Sequence, residues 1–115
     1  MAPPAWLAGW KGDGIIARIE TPNIAAAVIK AGLPAVDLSA ARLVPGLPWV
    51  ETDDAEIARL AAEHLLERGF RHFAFCGVAR FNWSVWREEH FAARVRAAGH
   101  DCHLYRPKQE GAAAE

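Results

Sequence analysis

Between Phe81 and Phe91 the chain gathers side chains suited to holding a ligand: two aromatic rings, Phe81 and Trp83, a third at Trp86, and then Arg87. An indole face offers a flat apolar platform, and neighbouring polar groups fix the orientation of whatever stacks on it. A guanidinium adds planar, parallel donors that a lysine lacks. Asp53 stands where a helix is expected to begin, so its carboxylate either caps backbone N–H groups or accepts hydrogen bonds from a bound molecule. Each has an ordinary use too. Trp86 suits a core, Arg87 could pair with a glutamate one helical turn away for a few tenths of a kcal/mol, and a cap alone explains Asp53.

The set binds but does not catalyse. Gly9, Gly12 and Gly14 precede a predicted strand instead of following one, so they build no phosphate cradle. No Ser, Cys or His stands on a strand-to-helix elbow with a base nearby, and no catalytic residue or cofactor is assigned. His100-Asp101-Cys102-His103 resembles a metal cluster only in composition. Adjacent ligands on a strand point to opposite faces and no second pair closes a tetrahedron, so no metal site is expected. His64 and His72 are isolated. Cys76 and Cys102 fall on different predicted strands, where buried free thiols are the plainer expectation than a disulfide framework.

These residues need elements to carry them. Gly14–Arg18 reads as a strand after the turn Gly12-Asp13-Gly14. Thr21 caps a helix with Pro22 in its first position, Ala25, Val28 and Ile29 repeat at helical spacing, and Gly32 closes it. Ala35–Leu38 is a second strand, Ser39–Pro48 a loop, and Trp49–Glu51 a third short strand. Asp53 and Glu56 have the spacing of a capping box. Behind them Ile57, Leu60, Ala61 and Leu65 form the expected buried stripe, with Glu56, Arg59, Glu63 and Glu67 towards water. Gly69 ends this helix. Phe73–Cys76 is wholly apolar, the pattern of a strand covered on both faces. A helix from near Ser84 buries Phe91, Val95 and Ala98 and stops at Gly99. His103–Tyr105 begins a last strand, and Pro107–Glu115 reads as a frayed tail. The rhythm is α/β with parallel pairing and right-handed crossovers.

At 115 residues, 52% hydrophobic and net charge −1, the chain has material for a core and no global field to attract nucleic acid. No stretch approaches a membrane span, and the N-terminal residues lack the pattern of a secretory leader, so a cytoplasmic protein is expected.

The segments LPAVDLS, WVETDDAEIARLAAEHLLERGFRHFAFCG and WREEHFAARVRAAGHDCHLYRP resemble the sugar-sensing domain of bacterial regulators of the lactose/galactose-repressor type. The approach AWLAGWKGDGIIARIETP is similar to the xylose-activator branch, in which the sensor is joined to a DNA-binding domain of the arabinose-regulator type. The resemblance implies an incomplete α/β fold like that of periplasmic sugar-binding proteins, with parallel sheets flanked by helices. Residues 1–68 would be part of a first lobe and residues 69–115 the start of a second, the chain crossing near Gly69. It further implies a small-molecule sugar held between lobes, a pentose such as xylose. DNA would be reached only through a domain outside this sequence, by a homodimer of the full-length protein. Strand Gly14–Arg18 would have an unpaired flank, which implies a poorly folded or self-associating isolated chain.

The resemblance gives roles to residues as well. Asp53 falls where such proteins place an acidic or polar group facing the sugar. Arg87 falls on the arginine of an Arg-x-x-Gly-Phe pattern, here Arg87-Glu88-Glu89-His90-Phe91, with His90 in place of glycine. Phe81 and Trp83 follow the loop after the second-lobe strand and become stacking candidates. Arg18 and Glu20 are rim residues, and Trp6 and Trp10 are assigned to packing. Loops after Ile19, Glu51 and Cys76 lie where ligands of open parallel sheets bind. Two other readings share the fold class: an exported sugar-binding protein of a transport system, and an enzyme on a doubly wound sheet.

Overall fold

The computed structural model describes residues 1–107, and the expected frayed tail lies almost wholly outside them. The described chain forms two compact units, Met1–Glu51 and one beginning at Thr52.

In the first unit a short 3-10 turn, Ala5–Leu7, precedes β1 (Ile15–Ala17), α1 (Pro22–Ala31) and β2 (Ala35–Asp37). The strands pair in parallel, Ile15 opposite Ala35 and Ala17 opposite Asp37, with α1 as the crossover. Thr21 caps α1 as expected, its Oγ1 accepting from the Ile24 N–H at 3.3 Å. Gly32 ends the helix in the left-handed region at φ 67°, which an L side chain adopts only at a cost. Leu7, Ile19, Ala25, Val28 and Ala35 make the core. Ile29, expected to join them, is exposed. The third strand shrinks to one bridge between Asp37 and Trp49. Asp37 is buried because its Oδ1 accepts two backbone N–H groups, from Ile19 at 3.1 Å and Ser39 at 2.8 Å. Trp6 and Trp10 meet each other edge to face at 5.7 Å between ring centres, rather than packing into a core. Trp10 also lies over Gly12, where a Cβ would collide with the indole.

The second unit runs α2 (Asp54–Glu67), β3 (Phe73–Cys76), α3 (Asn82–Ala97) and β4 (Cys102–Tyr105). The strands β3 and β4 are parallel, with Phe73 opposite Cys102 and Cys76 opposite Tyr105. The core joins Ala58 and Ala62 of α2 to Phe91, Ala92 and Val95 of α3 and to Phe73 and Cys102 of the sheet. Phe91 touches both strand aromatics, its ring centre 6.4 Å from Phe73 and 5.9 Å from Phe75. This core puts α2 with the elements that follow it, so the compact units divide one helix earlier than the expected crossover at Gly69.

Several expected details differ here. The buried face of α2 is Asp54, Ala58 and Ala62, while Ile57 and Leu60 of the expected stripe are exposed. Two alanines a turn apart let α3 approach closely, and that packing sets the rotation of the helix in place of the bulkier residues. The capping box is half made. Asp53 Oδ1 accepts from the Glu56 N–H at 3.1 Å, but the Glu56 carboxylate turns forward to pair with Arg59. On β3 only one face is covered: Phe73 is buried and Phe75 half-buried, with Ala74 and Cys76, which alternate with them, exposed. The helix α3 starts two residues before Ser84 and leaves Ala98 exposed. His100, drawn earlier into an apparent metal cluster, packs its ring 5.4 Å from Phe73. Among the described residues no three His, Cys, Asp or Glu side chains are grouped to hold a metal ion. Nor is any described helix long and apolar enough to cross a membrane.

Candidate functional site

The residues singled out in the second unit gather where α2 begins and where the first two turns of α3 run. Asp54 is the first residue of α2, buried, and at a helix start where the backbone dipole favours negative charge. Its Oδ1 accepts from Arg87 Nε at 2.7 Å and from the Thr52 hydroxyl at 2.9 Å. Arg87 Nη2 also reaches Thr52 Oγ1 at 3.4 Å. A charged donor on a buried carboxylate is among the stronger hydrogen bonds, contributing about 1.5–3 kcal/mol. Arg87 therefore bonds across to another helix, not to a glutamate on its own.

Aromatic rings continue the arrangement. Arg87 Cζ lies 4.9 Å from the centre of the Trp83 ring. Trp83 stacks on Phe81, with 5.4 Å between centres and 15° between planes. Arg80 Cζ lies 4.7 Å from the centre of the Phe81 ring. A two-ring stack is thus flanked by two cations, Arg80 over Phe81 and Arg87 over Trp83, and both rings are half-buried.

Of the four candidate residues, the structure brings Phe81, Trp83 and Arg87 together. Asp53 adjoins Asp54, but its carboxylate caps α2 through the Glu56 N–H, and it is exposed. Trp86 is half-buried, and His90 is exposed, so the ring that replaces glycine points where nothing resists it. Arg18 and Glu20 pair with each other in the first unit.

Thr52, Asp54 and Arg80 were not anticipated. A signal for Asp54 existed: it precedes Ala58 and Ala62 at four-residue steps, so a reading that put the alanines inside would have put Asp54 inside with them.

On the same unit, a cleft of about 110 Å³ opens at the carboxyl ends of β3 and β4, lined by Gly77, Val78, Ala79, Ser84, Val85, Glu88 and Arg106. Gly77 donates its N–H to the Tyr105 carbonyl, and Ser84 Oγ accepts from the Val78 N–H at 2.9 Å. A Cβ on Gly77 would sit 3.1 Å from the Phe75 ring, so a side chain there would require the ring to shift by a few tenths of an ångström. Buried Glu88 accepts two bonds from the Arg106 guanidinium, at 3.2 and 2.7 Å. That hydrogen bonding raises the Arg106 pKa above its ordinary value. The cleft is well below the roughly 300 Å³ at which small-molecule pockets begin.

Known proteins share this fold. Residues 62–115 match the periplasmic binding protein-like domain family. The xylose operon regulatory protein of Haemophilus influenzae is 27% identical over 100 residues, covering 81% of this chain and 26% of its own length. That of Escherichia coli K12 is 30% identical over 84 residues, covering 70% and 21%. The chain thus spans about a quarter of the length of these relatives. Among solved structures, a periplasmic binding protein/LacI transcriptional regulator from Alkaliphilus metalliredigens, complexed with D-xylulofuranose, superposes with a TM-score of 0.67 at 18% identity. The match covers 89% of this chain and 37% of that one. A PurR family transcriptional regulator from Vibrio parahaemolyticus gives 0.60 at 13% identity, over 88% and 38%. The resemblance read from the sequence is borne out: the chain is a periplasmic-binding-protein-like α/β segment, homologous to the xylose operon regulatory proteins.

Proposed function

We propose that this chain is part of the sugar sensor of a transcription regulator, that its ligand is a pentose such as xylose, and that Arg87, Trp83 and Phe81 contact it. The observation that carries the reading is the Arg87 guanidinium, held by Asp54 at one edge and lying over Trp83. Hydroxyl oxygens accept from the remaining guanidinium donors, while the half-buried Trp83 and Phe81 rings offer apolar contact to a sugar ring. The regulatory names of the relatives support the same reading, and the D-xylulofuranose bound to one structural neighbour supports a five-carbon ligand.

In this reading the protein is not an enzyme. It works in the cytoplasm, and a DNA-binding domain outside this sequence, brought together as a homodimer, reads the operator. Sugar acts by binding one arrangement of the sensor more tightly than another, which is the only way a ligand shifts such an equilibrium. Titration calorimetry of the full-length protein with D-xylose tests it. Arg87→Ala is expected to weaken binding by more than about 1.5 kcal/mol, the scale of a lost charged hydrogen bond. Equal affinity in wild type and variant removes Arg87 from the site. Failure of the folded wild-type protein to bind any pentose removes the function.

A further inference from the structure

Two carboxylates stand side by side at the start of α2, and they do different work. Asp53 is exposed and caps the helix through the Glu56 N–H. Asp54 is turned inward, with its side chain 3% exposed against 29% for Arg87, so the pair has a fixed inner member and a partly open outer one. We infer that Asp54 is the positioning residue of this site: it clamps Arg87 by the Nε edge and thereby leaves the Nη nitrogens aimed at the ligand.

The geometry supports this in three ways. The bond of 2.7 Å is made from Nε, which leaves the two terminal nitrogens to other acceptors; among the described residues Thr52 accepts from one of them, at a long 3.4 Å. Thr52 donates to the same Asp54 oxygen at 2.9 Å, so one carboxylate oxygen holds both a loop hydroxyl and the guanidinium. The indole of Trp83 supports the guanidinium from another direction. An arginine otherwise surrenders much rotamer freedom when it binds a ligand, and one already held loses less.

The second oxygen of Asp54 is the less expected observation. Oδ2 is buried, with no hydrogen-bond partner among the described residues. A carboxylate kept only to stabilise the fold would gain from satisfying both oxygens, since an unpartnered buried acceptor is costly.

This inference rests on the proposed sugar site, and the test separates the two. In the full-length protein, Asp54→Ala should weaken D-xylose binding about tenfold. Asp54→Asn keeps an acceptor for Nε and should recover most of that loss. In an Arg87→Ala background, Asp54→Ala should have no further effect. Without any ligand, the Arg87 Nε–H resonance in arginine-selective NMR should be sharp and protected in wild type and Asp54→Asn, and averaged in Asp54→Ala. An Nε–H signal indifferent to Asp54→Ala overturns the clamp whatever the sugar does. An equal loss of affinity from Asp54→Ala with and without Arg87 also overturns it, since Asp54 then acts on its own. If the signal responds but Arg87→Ala leaves D-xylose affinity unchanged, the sugar site itself fails, and the positioning role falls with it.

Discussion

Arg87 Nε and Asp54 Oδ1 stand 2.7 Å apart although 33 residues separate them in sequence, and this one bond ties the start of α2 to the second turn of α3. The two helices are also joined by a second ion pair, Arg94 Nε to Glu63 Oε1 at 2.5 Å, and by apolar packing of Ala58 and Ala62 against Phe91, Ala92 and Val95. The polar tie therefore contributes to the fold as well as to the proposed site. Arg87→Ala leaves a buried carboxylate without its cation, and should lower unfolding stability by about 1.5–3 kcal/mol in chemical denaturation. Arg87→Lys should recover little of this, because an ammonium has no planar Nε edge to present.

Phe91 fixes the core of the second unit, touching Phe73 and Phe75 at once while itself buried. Phe91→Ala removes that ring and leaves a cavity between helix and sheet, at a cost of about 3–5 kcal/mol. The change should appear as a lowered denaturation midpoint with the slope preserved. Ala62→Leu acts in the opposite sense by pushing α3 away from α2, and should cost about 1–3 kcal/mol.

The two thiols should react at different rates. Cys76 is exposed, whereas Cys102 is buried and its pKa is raised, chiefly by desolvation. Fewer Cys102 thiolates form at a given pH, and a reagent must also reach them. Native protein treated with a thiol reagent near neutral pH should be modified first at Cys76, with Cys102 modified on unfolding, as peptide mass spectrometry would record. Faster modification of Cys102 would contradict the packing of β4 described above.

Glu56 titrates below the ordinary glutamate value, because its carboxylate accepts hydrogen bonds from Arg59 and is attracted to its charge. A depressed folded-state pKa means the contribution is present above the unfolded pKa and is lost as pH falls through the folded one. Both side chains are solvent-exposed, so salt should screen the effect. Carboxyl NMR titration should find Glu56 below a typical glutamate at low ionic strength and closer to it at high ionic strength. Arg59→Ala should remove the difference.

Local chemistry was the legible part of this sequence. Thr21 with Pro22, Asp53 before its helix, and Gly32, Gly69 and Gly99 after theirs mark boundaries through backbone needs that few residues meet, and the elements form there. The parallel pairing of β1 with β2 and β3 with β4 follows from the strand–helix–strand rhythm. The rotation of α2 was not legible. Ile57 and Leu60 are more hydrophobic than Ala58 and Ala62, and only the close approach of α3 makes the alanine face the buried one. That phase also concealed Asp54 behind Asp53. Phe81, Trp83 and Arg87 were legible as types, yet their stack depends on the positions the α3 backbone gives to residues 83 and 87, one turn apart.

Asp37 gives the first unit a property that its small sheet would not confer. One oxygen of this buried side chain receives the amides of both Ile19 and Ser39, so the segments leaving β1 and β2 hang from a common pivot. Neither segment can shift without straining a bond shared with the other. Amide exchange at Ile19 and Ser39 should consequently slow and quicken in step, and a change that loosens one segment should register in its neighbour.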